Sequence, residues 1–327
     1  MLEKVLTALV TVIIGVGAAV ALYWVLNKLA ELLPGRIEGW LKPYLYILPA
    51  YAAIAFYLIY PAVQTVIYSF KDPTSTEWVG FDNFDRLLTN HDFQQTLLNT
   101  LLWMIVVPAV TVALGLAIAV LADRLGVRAE NTVKTIVFMP MAISLVGAGT
   151  VWKLIYAYAP QGRDQVGLQN AIVTGLGGSP VPWTQQSQFH FNSFLLMLIL
   201  LWAQVGFSMV LLSAAVKGVP TDTLEAARID GAGERQIFFR VVVPQIKGTI
   251  ITVLITTLIS VMKIFDVVYV MTNGGFNTNV VGNAFFNQLF TNFDQGAAAA
   301  IVVLLMIAVI PVMAYQVRHF RSEEATA

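Results

Sequence analysis

SFLLMLILLWAQVGFSMVLLSAAV, residues 193–216, contains no charged side chain. A helix needs roughly 20 consecutive apolar residues to cross the hydrocarbon core of a bilayer, and this stretch is long enough. Backbone inside a bilayer must satisfy its own hydrogen bonds, which a helix does within a single segment. Residues 193–216 therefore predict a transmembrane helix.

Six further stretches on either side of this one have a similar length and apolar character. Together with residues 193–216 they predict an all-α fold, a polytopic transmembrane helix bundle of about seven spans. The predicted spans are Val5–Leu26, Tyr44–Tyr68, Thr96–Ala122, Thr132–Tyr156, Ser193–Val216, Ile246–Met271 and Gly296–Tyr315.

The composition favours a membrane protein and excludes several other classes. The 327 residues are 57% hydrophobic and 12% charged, whereas a soluble domain carries about 25% charge. The net charge is formally zero, which gives no support for nucleic-acid binding. The chain contains no cysteine, which excludes thiol chemistry, and its three histidines lie too far apart to suggest a metal site.

The first apolar stretch could be a signal peptide or a retained helix. A signal peptide has a shorter apolar region and a small-residue cleavage site before a soluble domain. Val5–Leu26 is longer and is followed by more spans, which favours a retained helix. We expect this helix and a linker at residues 1–40, a six-helix membrane domain at 41–320, and a tail at 321–327.

The distribution of Lys and Arg predicts the orientation, because these residues accumulate in cytoplasmic loops. With the predicted loops assigned alternately, one side holds 13 of the 19 Lys and Arg and the other holds five. The richer side includes residues 217–247 and the C-terminus, so both are expected in the cytoplasm. The N-terminus is then expected outside.

The loop after residues 193–216 reads KGVPTDTLEAARIDGAGERQIFFRVVVP, residues 217–244. Pro220 is expected to end the membrane helix. Asp222 and Glu225 have capping-box spacing, which predicts the start of a new short helix.

The second half of the same loop predicts a turn and another helical piece. Gly231 and Gly233 break the short helix, and an amphipathic piece from Arg235 to Val243 runs into Pro244. Proline suits the first turn of the next membrane helix. We expect a rigid knob below the membrane surface that can fit a cleft on another protein.

Residues of this loop resemble the "EAA" signature of the permeases of ATP-binding-cassette (ABC) importers. The matching residues are Glu225, Ala226, Ala227, Asp230, Gly231, Ala232, Val243 and Pro244. The resemblance implies a type I importer permease in which this loop is the coupling helix that docks on a separate ATPase. It implies that Glu225 contacts that ATPase and that Gly231 is the pivot of the turn. The alternative is an ordinary amphipathic interfacial loop, with Glu225 as a capping residue.

Further stretches resemble the maltose-type, carbohydrate-uptake branch of these permeases, and most resemble alpha-glucoside permeases. They are Leu48-Pro49, Tyr60-Pro61, residues 79–84, Asn99-Thr100, residues 138–140, residues 263–275 and residues 293–296. Phe276 departs from the family, which often has proline there. The resemblance implies an alpha-glucoside, maltose-like or trehalose-like substrate. Alternatives are a permease for glycerol phosphate or another glycoside, or a self-sufficient secondary transporter.

The same resemblance places sugar contacts in the fourth, fifth and sixth spans. The expected pathway residues are Met141, Ser144, Leu145, Ala203, Gln204, Phe207, Ser208, Thr257, Ser260 and Ile264. The alternative role for each is packing between membrane helices, where small polar residues are common. The sugar site can also lie mainly on a second permease.

The chain lacks the Gly-x-x-x-x-Gly-Lys-Ser/Thr phosphate loop, so it is expected to bind no ATP itself. The resemblance implies a second homologous permease, two ATPase subunits that bind ATP and Mg²⁺, and an extracytoplasmic sugar-binding protein. No catalytic arrangement, cofactor or metal is expected in this chain, which we interpret as a transport subunit in the bacterial inner membrane.

Two other features have alternative interpretations. Lys263 and Asp266 are three residues apart, on one face of a continuous helix. They could line a polar path or ion relay, or form a structural pair near the outer interface, which we favour. The aromatic residues between Tyr44 and Tyr57 are expected to anchor the interface and pack in the core rather than bind sugar.

Overall fold

The computed structural model describes residues 2–32 and 34–324. Within these residues the structure is helical, and its β-type pairing is limited to an isolated bridge between Lys71 and Trp78. The helices are α1 (Leu2–Glu31), α2 (Gly35–Ile54), α3 (Tyr60–Tyr68), α4 (Asp82–Thr89), α5 (His91–Asp123), α6 (Val127–Phe138), α7 (Leu145–Ile155), α8 (Leu168–Gly175), α9 (Phe191–Lys217), α10 (Thr221–Ile229), α11 (Glu234–Ile237), α12 (Val243–Gln245), α13 (Lys247–Met262), α14 (Asp266–Met271), α15 (Val281–Phe286) and α16 (Gln295–Glu324). The predicted all-α class is confirmed.

Five of the helices in residues 2–32 and 34–324 are long and apolar enough to cross a bilayer. They are Glu3–Glu31, Glu38–Tyr68, His91–Asp123, Gln188–Lys217 and Gln295–Arg318. Two helix pairs reach that length only together, because Val127–Ala142 meets Leu145–Ile155 at 101° and Glu234–Gln245 meets Lys247–Met262 at 69°. If each bent pair is one span, the total is seven, which agrees with the prediction.

Two of the predicted spans are not continuous helices. The predicted span Thr132–Tyr156 is interrupted between the 3₁₀ turn Met139–Ala142 and α7, and Ile246–Met271 is interrupted between α13 and α14. In the first case Pro140 lies in the 3₁₀ turn, and its ring disfavours a continuing helix. Hydropathy alone does not reveal such breaks, since apolar residues continue through them.

Short π-helical segments precede two of the prolines. Ala55–Ile59 ends two residues before Pro61, and Phe238–Val242 ends two residues before Pro244. Proline lacks an N–H and its ring clashes with the carbonyl four residues earlier. A widened π turn accommodates that clash without ending the helix.

The chain divides into two compact units, Met1–Ile67 and Tyr68–Ala327. The three-part division expected from the sequence stays a prediction. Its first boundary, after residue 40, falls inside α2. Residues 325–327 of the expected tail lie outside the described residues.

The first unit contains α1 and the helix that runs from α2 towards Tyr68. The rings of Tyr23 and Tyr46 stack at 5.9 Å, and the Tyr46 hydroxyl donates to Asn27 Oδ1 at 2.9 Å. In each of the spans Glu3–Glu31 and Glu38–Tyr68, the most hydrophobic 18-residue segment contains no buried residue. The aromatic side chains Tyr44, Tyr46, Tyr51, Phe56 and Tyr57 are likewise exposed. The prediction that these side chains pack in a core was therefore wrong within their unit. That they anchor the membrane interface stays a prediction.

The second unit is built around α9, which packs against α5 and α13. The side chains of Leu196 and Leu200 on α9 and Trp103 on α5 are fully buried in one apolar cluster. Gly115 on α5 permits a close approach, because a Cβ there would lie 2.9 Å from Ser208 Cβ on α9. This packing fixes the helices that line the candidate site.

Candidate functional site

A cavity of about 260 Å³ lies where the bent fourth span meets α9 and α13. Its described lining residues are Met141, Ile143, Leu145, Ala203, Gln204, Phe207, Ser208, Thr256, Thr257 and Ser260. They combine apolar side chains, one aromatic ring, one amide and several hydroxyls. None of these ten residues is charged.

The break in the fourth span helps to form this cavity. Ser144 has an extended backbone, and its hydroxyl accepts a hydrogen bond from the Gly147 N–H at 3.1 Å, which caps the start of α7. On the opposite wall, Gly206 lies against the end of α6. A Cβ on Gly206 would collide with the Val137 carbonyl oxygen and lie 2.6 Å from Phe138 Cα. Glycine therefore lets α9 approach the break.

The polar groups of the cavity can still bind a ligand. The hydroxyls of Thr256, Thr257 and Ser260 each donate to the carbonyl four residues earlier, so each keeps acceptor capacity. The buried Ser208 hydroxyl has no hydrogen-bond partner in the described structure. Gln204 can both donate and accept. This set suits a neutral, hydroxyl-rich ligand.

The cavity brings together most of the residues expected to line the sugar path. Met141, Leu145, Ala203, Gln204, Phe207, Ser208, Thr257 and Ser260 all line it. Their role as sugar contacts stays a prediction.

Two of the expected pathway residues lie elsewhere. Ser144 caps α7, and Ile264 is buried in the apolar core. The sequence reasoning missed Ile143 and Thr256. Thr256 lies one helical turn before Ser260, and that spacing could have identified it.

The loop between α9 and α13 contains the short helix expected there. α10 ends in a Schellman motif: Ala232 N–H donates to the Ala227 carbonyl at 3.0 Å, and Gly231 N–H donates to the Arg228 carbonyl at 3.0 Å. Gly231 has φ +84°, a conformation that glycine adopts without steric penalty. The turn is therefore at Gly231, as predicted.

The start of α10 differs from the prediction. Pro220 occupies the N-cap position, and the structure shows no side-chain cap there. Asp222 and Glu225 thus lie inside the helix, too late for a capping box. A reciprocal interaction is found instead at α11, where Gly233 N–H donates to Gln236 Oε1 at 3.1 Å.

Pro244 was also expected to begin the next membrane helix. The helical run Glu234–Gln245 contains it, and the bend of 69° follows this run, before Lys247–Met262. Pro244 therefore lies near the end of the first helical run of this bent pair, before the bend, and does not begin Lys247–Met262.

One face of α10 is partly buried and the other is exposed. Leu224 and Ala227, with Ala232 after the turn, pack on a cluster of Val219, Ile237, Val242 and Ile246. That cluster joins the end of α9 to the start of α13. The opposite face leaves Glu225, Ala226, Asp230 and Ile229 exposed, and Ile229 is 86% exposed.

An exposed ion pair links α10 to α11. Arg228 Nε donates to Glu234 Oε1 at 2.9 Å. The Glu234 carboxylate raises the pKa of Arg228, and Glu225 adds to this effect. The pair is exposed, so its contribution to stability is small.

Acidic and basic side chains link the ends of α5, α6 and α9 beside this loop. Lys217 lies 2.6 Å from Glu130 and 3.3 Å from Asp123, and Lys134 lies 2.5 Å from Glu130 and 2.6 Å from the Ser213 hydroxyl. The sequence analysis did not identify this network. The spacing of Glu130 and Lys134 at i and i+4 was an available signal.

Lys263 and Asp266 do not form the structural pair that was favoured. The helix is interrupted between them, with Phe265 at φ −141°, so they do not share a helical face. The described residues include no ion pair between the two. Lys263 is exposed beside an apolar cavity of about 330 Å³. A polar path or ion relay at this position stays a prediction.

At the opposite end of the second unit from α10, two separated stretches of the sequence meet. Arg86 Nη2 donates to Asp294 Oδ2 at 2.7 Å, and Asn83 Nδ2 donates to the Lys71 carbonyl at 2.7 Å. Gly296 lies against this junction, since a Cβ there would be 2.8 Å from Asn83 Nδ2. Residues 79–84 and 293–296, which resembled the permease family separately, thus form one contact region.

The fold and these features define a helical membrane transport component. Over residues 112–322 the chain matches the family described as binding-protein-dependent transport system inner membrane component. The chain belongs to this family and is an ABC importer permease, a multi-pass protein of the inner membrane.

Curated relatives are similar over most of their length. The chain is 42% identical to the alpha-glucoside transport system permease protein AglF of Rhizobium meliloti, covering 98% of this chain and 99% of AglF. It is 44% identical to the osmoprotective compounds uptake permease protein GgtC of Synechocystis, covering 86% of this chain and 99% of GgtC. These relatives are transport permeases, which confirms the interpretation as a transport subunit rather than an enzyme.

A solved structure shows the same fold. A chain in the crystal structure of the bacterial alginate ABC transporter, in complex with an alginate pentasaccharide-bound periplasmic protein, superposes with a TM-score of 0.72. It is 19% identical, and the match covers 84% of this chain and 92% of that one.

Proposed function

We propose that the chain forms half of the translocation path of an ATP-driven sugar importer. A second homologous permease supplies the other half, and an extracytoplasmic binding protein delivers the sugar. Two ATPase subunits bind ATP and Mg²⁺, while this chain binds neither. The loop at residues 217–247 and the C-terminus lie in the cytoplasm, and the N-terminus lies outside.

The proposed substrate is an alpha-glucoside or a maltose-like or trehalose-like oligosaccharide. AglF, named for alpha-glucoside transport, supports this choice through its 42% identity. The cavity supports a neutral ligand, since a phosphate would require cationic donors and its ten described lining residues include none. This favours a sugar over glycerol phosphate.

One observation carries the proposed mechanism. α10 packs through Leu224 and Ala227 on the cluster that joins the end of α9 to the start of α13. Those two helices also carry the cavity residues Gln204, Phe207, Thr257 and Ser260. A displacement of α10 is therefore transmitted to both walls of the cavity.

Coupling follows from that connection. ATP binding closes the ATPases, and α10, docked on them through Glu225, moves with them. The spans then rock as rigid bodies and open the path to alternate sides. The sugar contributes to direction only if its affinity differs between the two states.

Substitution of Phe207 tests the cavity. In proteoliposomes with the complete transporter, Phe207→Ala is expected to raise the KM for alpha-glucoside uptake by about threefold to tenfold, because a stacking ring is lost. Phe194→Ala is the control, since Phe194 is a partly exposed ring on α9 outside the cavity. A wild-type KM in the Phe207 variant would refute sugar contact at this position.

Substitution of Glu225 tests coupling. Glu225→Gln is expected to leave membrane insertion intact, to abolish uptake, and to make ATP turnover independent of the binding protein. Glu77→Gln, which alters an exposed carboxylate in the loop before α4, is the control. Normal uptake by the Glu225 variant would show that this residue does not couple.

A further inference from the structure

The largest described cavity near α10 lies between this helix and the end of α5. It has a volume of about 580 Å³. Its charged lining residues, which we call the rim, are Arg124 just after α5, Arg228 on α10, Arg235 on α11, Asp123 and Glu234. It is separate from the cavity assigned to sugar.

The ion pairs leave a positive excess at this rim. Glu234 pairs with Arg228, and Asp123 pairs with Lys217. Arg124 and Arg235 have no ion pair among the described residues. Two guanidinium groups are thus available on one cavity, and guanidinium binds phosphate through paired N–H donors.

The remaining lining residues of the cavity, which we call its floor, are all apolar. They are Val120, Val216, Leu224, Ile237, Phe238 and Val242. The Phe238 ring packs against Phe239 with ring centres 4.9 Å apart, and Phe239 is 59% exposed. Apolar surface therefore continues from the floor of the cavity to the exposed ring of Phe239.

The geometry points to a site for one anionic phospholipid of the cytoplasmic leaflet. The phosphate lies between Arg124 and Arg235, and an acyl chain follows the apolar floor past Phe238 and Phe239. Basic pockets between membrane helices on this side of a bilayer recognise anionic headgroups. The inference rests on the proposed orientation, in which residues 217–247 are cytoplasmic.

A lipid fits this site better than a protein partner. The cavity places two arginines without ion pairs in the described structure beside an apolar lining, as a phospholipid places its phosphate beside its acyl chains. A phospholipid satisfies both parts of the cavity. It would also bridge the end of α5 to α11, and so would tie the coupling helix to the anionic lipid content of the membrane.

Native mass spectrometry of the full chain in detergent tests this inference. Phosphatidylglycerol and phosphatidylcholine are titrated against the wild type and the double variant Arg124→Gln/Arg235→Gln. Loss of two cationic contacts is expected to weaken phosphatidylglycerol binding by about 30-fold. Phosphatidylcholine binding should weaken less, because its quaternary ammonium group offsets the charge of its phosphate. The control Arg128→Gln/Arg240→Gln removes two exposed arginines that do not line the cavity and is expected to match the wild type.

Three results would overturn the inference. One is equal phosphatidylglycerol binding by the double variant and the wild type. Another is displacement of phosphatidylglycerol by millimolar inorganic phosphate, which would indicate a soluble-anion site. The third is unchanged lipid binding with loss of ATPase co-purification, which would make the arginines a protein contact.

Folding and function are controlled separately. Arg124→Lys/Arg235→Lys is the second variant, used in case the double Gln variant misfolds. It keeps both charges but not the paired N–H donors, so it is expected to bind phosphatidylglycerol more weakly than the wild type without losing binding. Complete loss of binding by this variant would count against the inference. Lipid binding is measured without ATP or sugar. The lipid-binding result can therefore be interpreted even if the proposed transport function is wrong.

Discussion

Gly231 forms the left-handed turn that ends α10. Its φ of +84° closes the Schellman motif, and no atom lies within 4 Å of a Cβ built there. Gly231→Ala therefore introduces backbone strain of about 1–2 kcal/mol without a steric clash. We expect normal membrane insertion with a severalfold loss of sugar uptake by the reconstituted transporter.

Gly233→Ala is a matched control for this prediction. Gly233 also has open space around it, but its φ is −71°, which any residue adopts. It is expected to transport at close to the wild-type rate. Equal losses of sugar uptake in the two variants would show that uptake does not depend on the left-handed conformation at Gly231.

Asp72 gives the loop before α4 an acid-sensitive contact. Its carboxylate accepts from the Thr74 hydroxyl at 2.5 Å and from the N–H groups of Glu77 and Thr76 at 2.8 and 2.6 Å. The Thr74 hydroxyl first, and then these N–H groups, hold the pKa of Asp72 well below its usual range.

The lowered pKa of Asp72 determines how the stability of the protein changes with pH. The folded pKa lies below the unfolded value of roughly 3.9, so the stabilisation is present above that pH and is lost as the pH falls towards the folded pKa. In thermal melts between pH 7 and pH 3, Asp72→Asn is expected to melt below the wild type at neutral pH. The difference should shrink on acidification. A difference that grows on acidification would contradict this assignment.

At the scale of elements, the break before α7 decides the shape of the cavity. The Ser144 hydroxyl caps α7, and loss of such a cap costs about 1 kcal/mol. Ser144→Ala is expected to lower the melting temperature of the purified chain and to reduce uptake, while Ser144→Thr keeps the cap and restores both. If Thr also raised the KM for sugar, Ser144 would act as a ligand contact and not only as a cap.

The sequence predicted the number of helices better than their course. Residues 193–216 form one continuous helix as expected, and the stretch contains no proline. The fourth and sixth predicted spans are equally apolar but broken. Pro140 and Ser144 were the signals for the first break. At Lys263–Phe265 neither proline nor glycine marks the break, so the sequence held no local signal for it.

The lining residues of the candidate site were predicted from the resemblance to the family. Most of them, such as Gln204, Phe207 and Ser208, line one cavity in the structure. Ile264 was misplaced because the break at residue 263 rotates it into the core. The capping box predicted for α10 was wrong because Asp222, its first residue, lies two positions after the N-cap residue Pro220.

At the scale of the whole molecule, orientation rests on charge bias, and coupling rests on which side of the membrane α10 occupies. The chain has no cysteine, so a single Glu225→Cys substitution gives an unambiguous labelling site. Because Glu225 is exposed on α10, a thiol there is accessible to reagents on its own side.

Labelling of Glu225→Cys with a membrane-impermeant maleimide is the most direct test. Inside-out vesicles are expected to label strongly and intact spheroplasts weakly, with permeabilised spheroplasts as the full-reaction control. Bound ATPase subunits should reduce the labelling of inside-out vesicles. Labelling of intact spheroplasts alone would place α10 outside the cell, where no ATPase could drive it, and would contradict the proposed coupling.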